Sequence, residues 1–458
     1  MIVVTKLYFE RALLGDGWRR DVLITLAGPM ISAVEADVLA PSDAARMRGI
    51  AVPGIPNVHS HAFQRAMAGF AERRGPEDDS FWTWRDVMYR FLTHMSPDDI
   101  EAVAALAYVE MLESGFTKVG EFHYLHNAPD GSRYADPAEM AGRIIAAASE
   151  AGIGLTLLPC FYAHGGCGGK PATPAQSRFL SDLDGFADLV DASARHLRPL
   201  DGAKLGFAPH SLRAVDAQEL GELVRMYSSG PIHMHAAEQA REIDECLAWS
   251  DARPVEWLLD NMPIDQRWCL IHCTHMTHVE TQRLARSGAV VGICPITESN
   301  LGDGIFPAVE FERGGGRYAI GTDSNVRIAA NEELRTLEYS QRLRDQRRNR
   351  LGTHGSSTGR ALLNAACAGG TRALALNEPP GGLAAGQRGD IVVLDHSHPA
   401  LVGRIDDAVL DAWIFAAGDV VSDVFASGRH VVVGGRHTRA DVVRSRYVKS
   451  AAKLLKKV

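Results

Sequence analysis

The chain has 458 residues, 46% of them hydrophobic and 23% charged, enough to bury a large core and long for one ordinary domain. A net charge of −8 argues against a nucleic-acid partner, since proteins that hold phosphate backbones carry a basic face. No stretch reaches the ~18 apolar residues of a membrane-spanning helix, and seven scattered cysteines with no close pair indicate neither a disulfide framework nor a structural zinc cluster.

Residues 1–54 read as short strands: VTKLYFE, WRRDVLITLAG and MISAVEAD alternate apolar with polar residues between Gly, Asp and Pro turn signals. Lys6, Glu10 and Arg11 break the apolar start, so no signal peptide is expected and the protein is expected in the cytoplasm. Over residues 55–384, eight apolar runs alternate with amphipathic segments: AVPGIPNVHSH, FTKVGEFHY, IGLTLLPCFY, KLGFAPHS, GPIHMHAAE, RWCLIHCTH, AVVGICPITES and RYAIGTDSN. DDIEAVAALAYVEMLES, DPAEMAGRIIAAASEAG, DAQELGELVRMYSS and VETQRLARSG are predicted helices between them. Eight strand-helix units predict an α/β fold, a (β/α)8 TIM-type barrel with insertions. Residues 385–458 return to β-rich, turn-punctuated sequence in GDIVVLD, LDAWIFAAG and VSDVFASGRHVVVGGR. Two such ends around a different middle predict a small β-sandwich domain built from both termini. The basic stretch 449–457 is expected to be a solvated tail helix, and the Arg-rich 342–360 an exposed helix running into a loop.

Barrels of this kind place their working residues at the C-terminal ends of strands. Four segments there end in polar residues: VHSH (58–61), HMHAAE (233–238), IHCTH (271–275) and IGTDSN (320–325). His59 and His61, two apart, point to one face of a strand. With His235 and Asp323 they make a nitrogen-rich set suited to Zn²⁺, leaving a position open for water. Glu238, three residues past His235, is placed to carry a proton to a leaving nitrogen, the alternative being a cap on the following helix. His272 is a candidate for orienting or deprotonating water, with Asp323 sharing the task, and His275 is a lesser candidate. Two-metal sites of this architecture commonly need a bridging lysine at strand four, where this chain reads GFAPHS, so one metal ion per chain is expected.

Through HSH, HAAE, the strand-six His and TDSN the chain resembles the amidohydrolase superfamily, in its single-metal deaminase branch. The strings PGIPNVHSHAFQRAMAGFAE, FWTWRDVMYRF, VGEFHYLHN, FAPHSLRAV and HMHAAEQ are similar to the members that deiminate formimino-glutamate. That resemblance implies hydrolysis of N-formimino-L-glutamate to N-formyl-L-glutamate and ammonia, one zinc, and a homodimer. It also implies that Gln64, Arg85, Tyr124, His210 and Arg213 hold the substrate's amide and carboxylates. Two arginines suit a dianionic small molecule, because guanidinium groups bind carboxylates with fixed geometry. Arg327 is a further candidate, and Phe81, Trp82 and Trp84 form either a lid or an anchor for the insertion that carries them. The alternative substrate is a cyclic amidine such as guanine. Neither a nucleic acid nor a membrane is an expected partner.

Overall fold

The computed structural model describes residues 3–75, 78–376, 378 and 381–457. Eight parallel strand positions succeed one another through the middle of the chain. They are Ile55–Ser60, Phe116–His123, Gly154–Phe161, the split pair Lys204–Leu205 and Ala208–Pro209, Ile232–Ala236, Trp268–His272, Val290–Ile293 and Arg317–Ile320. Ladders join the first four and the last four, and single parallel bridges, Phe207 to Ile232 and Ser60 to Asp323, close the ring. The fourth run, expected as one strand, breaks in two because Phe207 turns its N–H to the Pro231 carbonyl while His210 bonds back to Phe161. Nearly every residue in these strands is buried, as expected of parallel strands covered by helices outside and side chains within.

The crossovers begin and end where local chemistry directs. Helix Pro97–Ser114 opens on Ser96, whose hydroxyl accepts from the Asp99 N–H while Asp99 reaches back to the Ser96 N–H, and Pro97 fits the first turn. It ends at Gly115 in the left-handed region, from which the chain enters the second strand. Helix Thr358–Ala373 approaches the barrel so closely that a Cβ on Gly369 would stand 2.0 Å from the Tyr318 carbonyl oxygen.

Both chain ends share one eight-stranded sheet. Ala45–Pro53 lies parallel to Val4–Leu14 on one side and antiparallel to Ile391–Leu394 on the other. The sheet follows a single hydrogen-bonded path, yet encloses its own apolar cluster, with Phe9, Ile24, Ile391 and Phe425 among its members, as two packed sheets would. The tail helix Ala440–Leu454 is docked along one face rather than solvated all round. Ser450 donates to Asp99 at 2.6 Å, and Arg444 pairs with Glu113 at 2.8 Å, on the helix before the second strand.

Candidate active site

Strand ends one, five and eight bring three imidazoles and a carboxylate together. His235 Nε2 lies 3.1 Å from His59 Nε2 and 3.3 Å from His61 Nε2, and Asp323 Oδ1 lies 3.4 and 3.3 Å from those same two nitrogens. The tautomers decide what such closeness means. His61 Nδ1 donates to the Phe122 carbonyl at 2.8 Å and His235 Nδ1 to the His210 carbonyl at 3.0 Å, so both Nε2 atoms carry lone pairs and face each other. Burial pushes His59 down to about 3 and lowers His61 and His235 as well, which keeps all three rings neutral. The facing lone pairs of His61 and His235, with no proton between them, call for a cation, and His59 Nε2 and Asp323 Oδ1 stand beside them. The four separations of 3.1–3.4 Å match edges of a tetrahedron whose centre would lie about 2 Å from each vertex, near the zinc-to-nitrogen distance. The residues therefore fit a divalent metal.

The strand ends are held under tension. Ala237, His272, Cys273, Asp323 and Asn325 adopt φ values of 52°, 70°, 53°, 45° and 55°. Each such backbone costs about 1 kcal/mol or more for a residue with a Cβ, so the surrounding bonds must enforce it. Asn57 and Asn325 do much of this. Asn57 Nδ2 donates to Thr322 Oγ1 at 2.7 Å, Thr322 Oγ1 donates to Asn325 Oδ1 at 2.7 Å, and Asn325 Nδ2 reaches the His61 carbonyl at 3.1 Å. Gly321 is required beside them, since a Cβ there would meet the His59 Cβ and carbonyl at 2.8 Å.

Groups able to move protons ring this centre. His272 Nε2 is buried without a hydrogen-bond partner, 3.8 Å from both Asp323 Oδ2 and Glu238 Oε1, while its Nδ1 donates to Glu298 Oε1 at 3.2 Å. Burial alone would lower His272, but Glu238, Glu298 and Asp323 outweigh it and hold it up at about 10. Burial also opposes the charge on Asp323, which His59, His61 and His272 nevertheless keep well below the usual carboxylate range. Glu238 is raised, by burial first, against the lowering pull of His272 and Arg213. It is not a helix cap: Gln239 takes that position ahead of Ala240–Ser250.

A pocket opens from this centre, lined by His61, Gln64, Tyr124, His210, Arg213 and Arg85 among others. Gln64 Nε2 donates to the Tyr124 hydroxyl at 2.7 Å, and that hydroxyl points to Met88 Sδ at 3.2 Å. Arg213 is already engaged, donating to Glu238 Oε2 at 2.9 Å with Glu242 4.0 Å away. Arg85 Nε is buried without a partner, its guanidinium over Trp82. Phe81, Trp82 and Trp84 belong to helix Phe81–Leu92 and line the pocket mouth. Arg327 stands apart, paired with Glu332 at 2.7 Å and more than half exposed. His275 lies outside the cluster of ligand atoms as well, its carbonyl accepting from Arg253.

Three supporting residues escaped the sequence reading. Glu298 orients His272, Glu242 accepts from the Ala237 and Glu238 N–H groups, and Arg241 stacks on Trp82. Glu242 sits four residues past Glu238, and that spacing was the one available signal; a glutamate or arginine early in a helix otherwise reads as solvated.

Comparison with known proteins gives two family matches: the amidohydrolase family over residues 50–431, and the N-terminal domain of formimidoylglutamate deiminase HutF over residues 5–47. A formimidoylglutamate deiminase from Pseudomonas aeruginosa is 48% identical, covering 99% of this chain and 100% of that protein. A 5-methylthioadenosine/S-adenosylhomocysteine deaminase from Natronomonas pharaonis is 29% identical over 89% of each chain. Among solved structures, an amidohydrolase from Brucella melitensis superimposes with a TM-score of 0.95 at 50% identity, covering 98% of this chain and 100% of that one. A zinc-bound adenosine deaminase from Xanthomonas campestris shares the fold, with a TM-score of 0.81 at 20% identity over 99% and 98% of the two chains.

Proposed function

The chain belongs to the amidohydrolase family, and we propose that it hydrolyses N-formimidoyl-L-glutamate to N-formyl-L-glutamate and ammonia. The observation that carries the reading is the junction of three converging imidazole nitrogens and a carboxylate with a pocket that presents arginines. His59, His61, His235 and Asp323 would hold one divalent ion, and zinc suits their nitrogen-rich set. When bound, that ion supplies a Lewis acid that makes water nucleophilic near neutral pH.

The chain's own groups do the rest. Asp323 Oδ2 takes the proton that attacking water gives up, and His272 Nε2, 3.8 Å away and kept protonated by the carboxylates around it, orients that water and steadies the Asp323 charge. Glu298 fixes the His272 ring by accepting from Nδ1, so Nε2 is the nitrogen turned toward the reaction. Glu238 delivers a proton to the departing nitrogen from Oε1, while Arg213 holds Oε2 and so sets the carboxyl's rotation. Arg85, with a buried Nε and no partner of its own, receives a substrate carboxylate, and Gln64, Tyr124 and His210 supply neutral donors around the amidine and the second carboxylate. A cytoplasmic homodimer is part of the same reading and rests on family resemblance.

Two measurements test it. Purified protein should contain about one equivalent of zinc per chain by elemental analysis. Ammonia release should be fast from N-formimidoyl-L-glutamate and absent from guanine, whose flat uncharged ring leaves the arginines unanswered. Turnover of guanine in preference to the linear amidine would overturn the substrate assignment.

A further inference from the structure

The pocket holds a third arginine that the reaction above leaves without a task. Arg241 occupies the first turn of helix Ala240–Ser250 and lines the pocket beside Trp82 and Arg85. Its Nε donates to Glu245 Oε1 at 2.9 Å, one turn along. Its Cζ stands 4.3 Å from the Trp82 ring centroid, and Arg85 Cζ stands 4.4 Å from the same ring. Both guanidinium groups are therefore within cation–π reach of the one indole.

Like charges gathered on one ring repel each other. At Arg241 the charge is offset by Glu245, whereas Arg85 Nε is buried without a partner. A helix-surface ion pair needs no indole, and a tryptophan that serves only as packing needs no second cation. The arrangement makes sense if the stack exists to hold Arg85 ready for an anion.

We propose that Arg241 is a positioning residue for substrate specificity: stacked on Trp82, it braces the indole so that Arg85 meets the distal carboxylate of a dianionic substrate. The inference rests on the proposed function and extends it from the reacting carbon to the far end of the substrate. Arg241 acts through Trp82 and Arg85, so its effect should vanish when Arg85 is absent.

The test uses the zinc-replete full-length protein, with R241Q, R241K, R85Q and the R85Q/R241Q double variant. R241Q should raise KM for N-formimidoyl-L-glutamate about tenfold with kcat changing less than about twofold, and R241K should recover most of the loss. N-Formimidoyl-L-glutamine, which lacks the distal carboxylate, should lose much less. The double variant should be no worse than R85Q alone. An unchanged KM in R241Q, equal losses on both substrates, or multiplying effects in the double variant would each overturn the brace. Binding of glutarate, followed by tryptophan fluorescence, reads the same contact without turnover, and R241Q should weaken it about tenfold. Intact glutarate binding with no deimination by the unaltered protein would sink the proposed reaction and leave the brace standing. Normal deimination with glutarate binding indifferent to R241Q would do the reverse.

Discussion

Glu238→Gln keeps an oxygen that can accept from Arg213 but removes the carboxyl proton, so it separates position from proton transfer. Turnover should fall about 10²- to 10⁴-fold, while elemental analysis shows the same metal content as the unaltered protein. A metal-replete variant with full activity would overturn the role assigned to Glu238. The residues that could be read from the sequence are those whose spacing is itself chemistry. His59 and His61 share a strand face because they are two apart, and His235 and Asp323 follow apolar runs at barrel strand ends. Glu298 could not be found in this way. It reaches His272 from a short helix 26 residues later in the chain, and nothing local distinguishes it from a surface glutamate. The engagement of Arg213 by Glu238 was hidden for the same reason, being a pairing of two separate loops.

At the scale of elements, periodicity and turn chemistry exposed the strand-helix alternation, and the barrel matches it strand for strand except at the fourth, whereas LDAWIFAAG, read as β-rich, lies largely in the helix Asp407–Phe415. There KLGFAPHS looks like one run, but its hydrogen bonds go to two different neighbours, a tertiary choice that alternation of side chains does not encode. Glycines sort by the same distinction between local preference and tertiary approach. Gly369→Ala gains helix propensity of roughly 1 kcal/mol, yet drives a methyl into the Tyr318 carbonyl. Overpacking of that kind costs about 1–3 kcal/mol, so the net change should be destabilising and should lower the urea midpoint. Gly221 lies in helix Ala217–Met226 with open space where its Cβ would be. Gly221→Ala should therefore raise the midpoint, by about 0.5–1 kcal/mol. Equal signs for the two variants would refute the packing argument.

For the molecule as a whole, buried neutral histidines set the response to acid. His126 donates from Nε2 to the Cys160 carbonyl at 2.8 Å, and burial lowers it to about 4. His437, lowered by burial, donates to the Ala151 carbonyl and accepts from the Arg439 N–H, joining the terminal sheet to the barrel. Unfolded, each would titrate near 6.5. Between that value and about 4 the unfolded chain binds more protons than the folded one, so stability is full above about 6.5 and falls as pH drops through this window. His126→Gln keeps a donor for Cys160 and cannot take up charge. It should flatten the fall in thermal midpoint over that range, removing a difference on the order of 3 kcal/mol attributable to this one ring. A variant with the same acid sensitivity as the parent would show that other groups dominate.

The threading of Ala45–Pro53 between Val4–Leu14 and Ile391–Leu394 also governs biogenesis. While the polypeptide is still emerging, the N-terminal ribbon has a bare edge along residues 50–53, and its hydrogen-bonding groups wait for a partner more than three hundred residues downstream. Such an edge invites pairing with another nascent chain. Strand Ile391–Leu394 thus acts as a late-arriving seal, and chains truncated before it should yield aggregates rather than shortened soluble barrels.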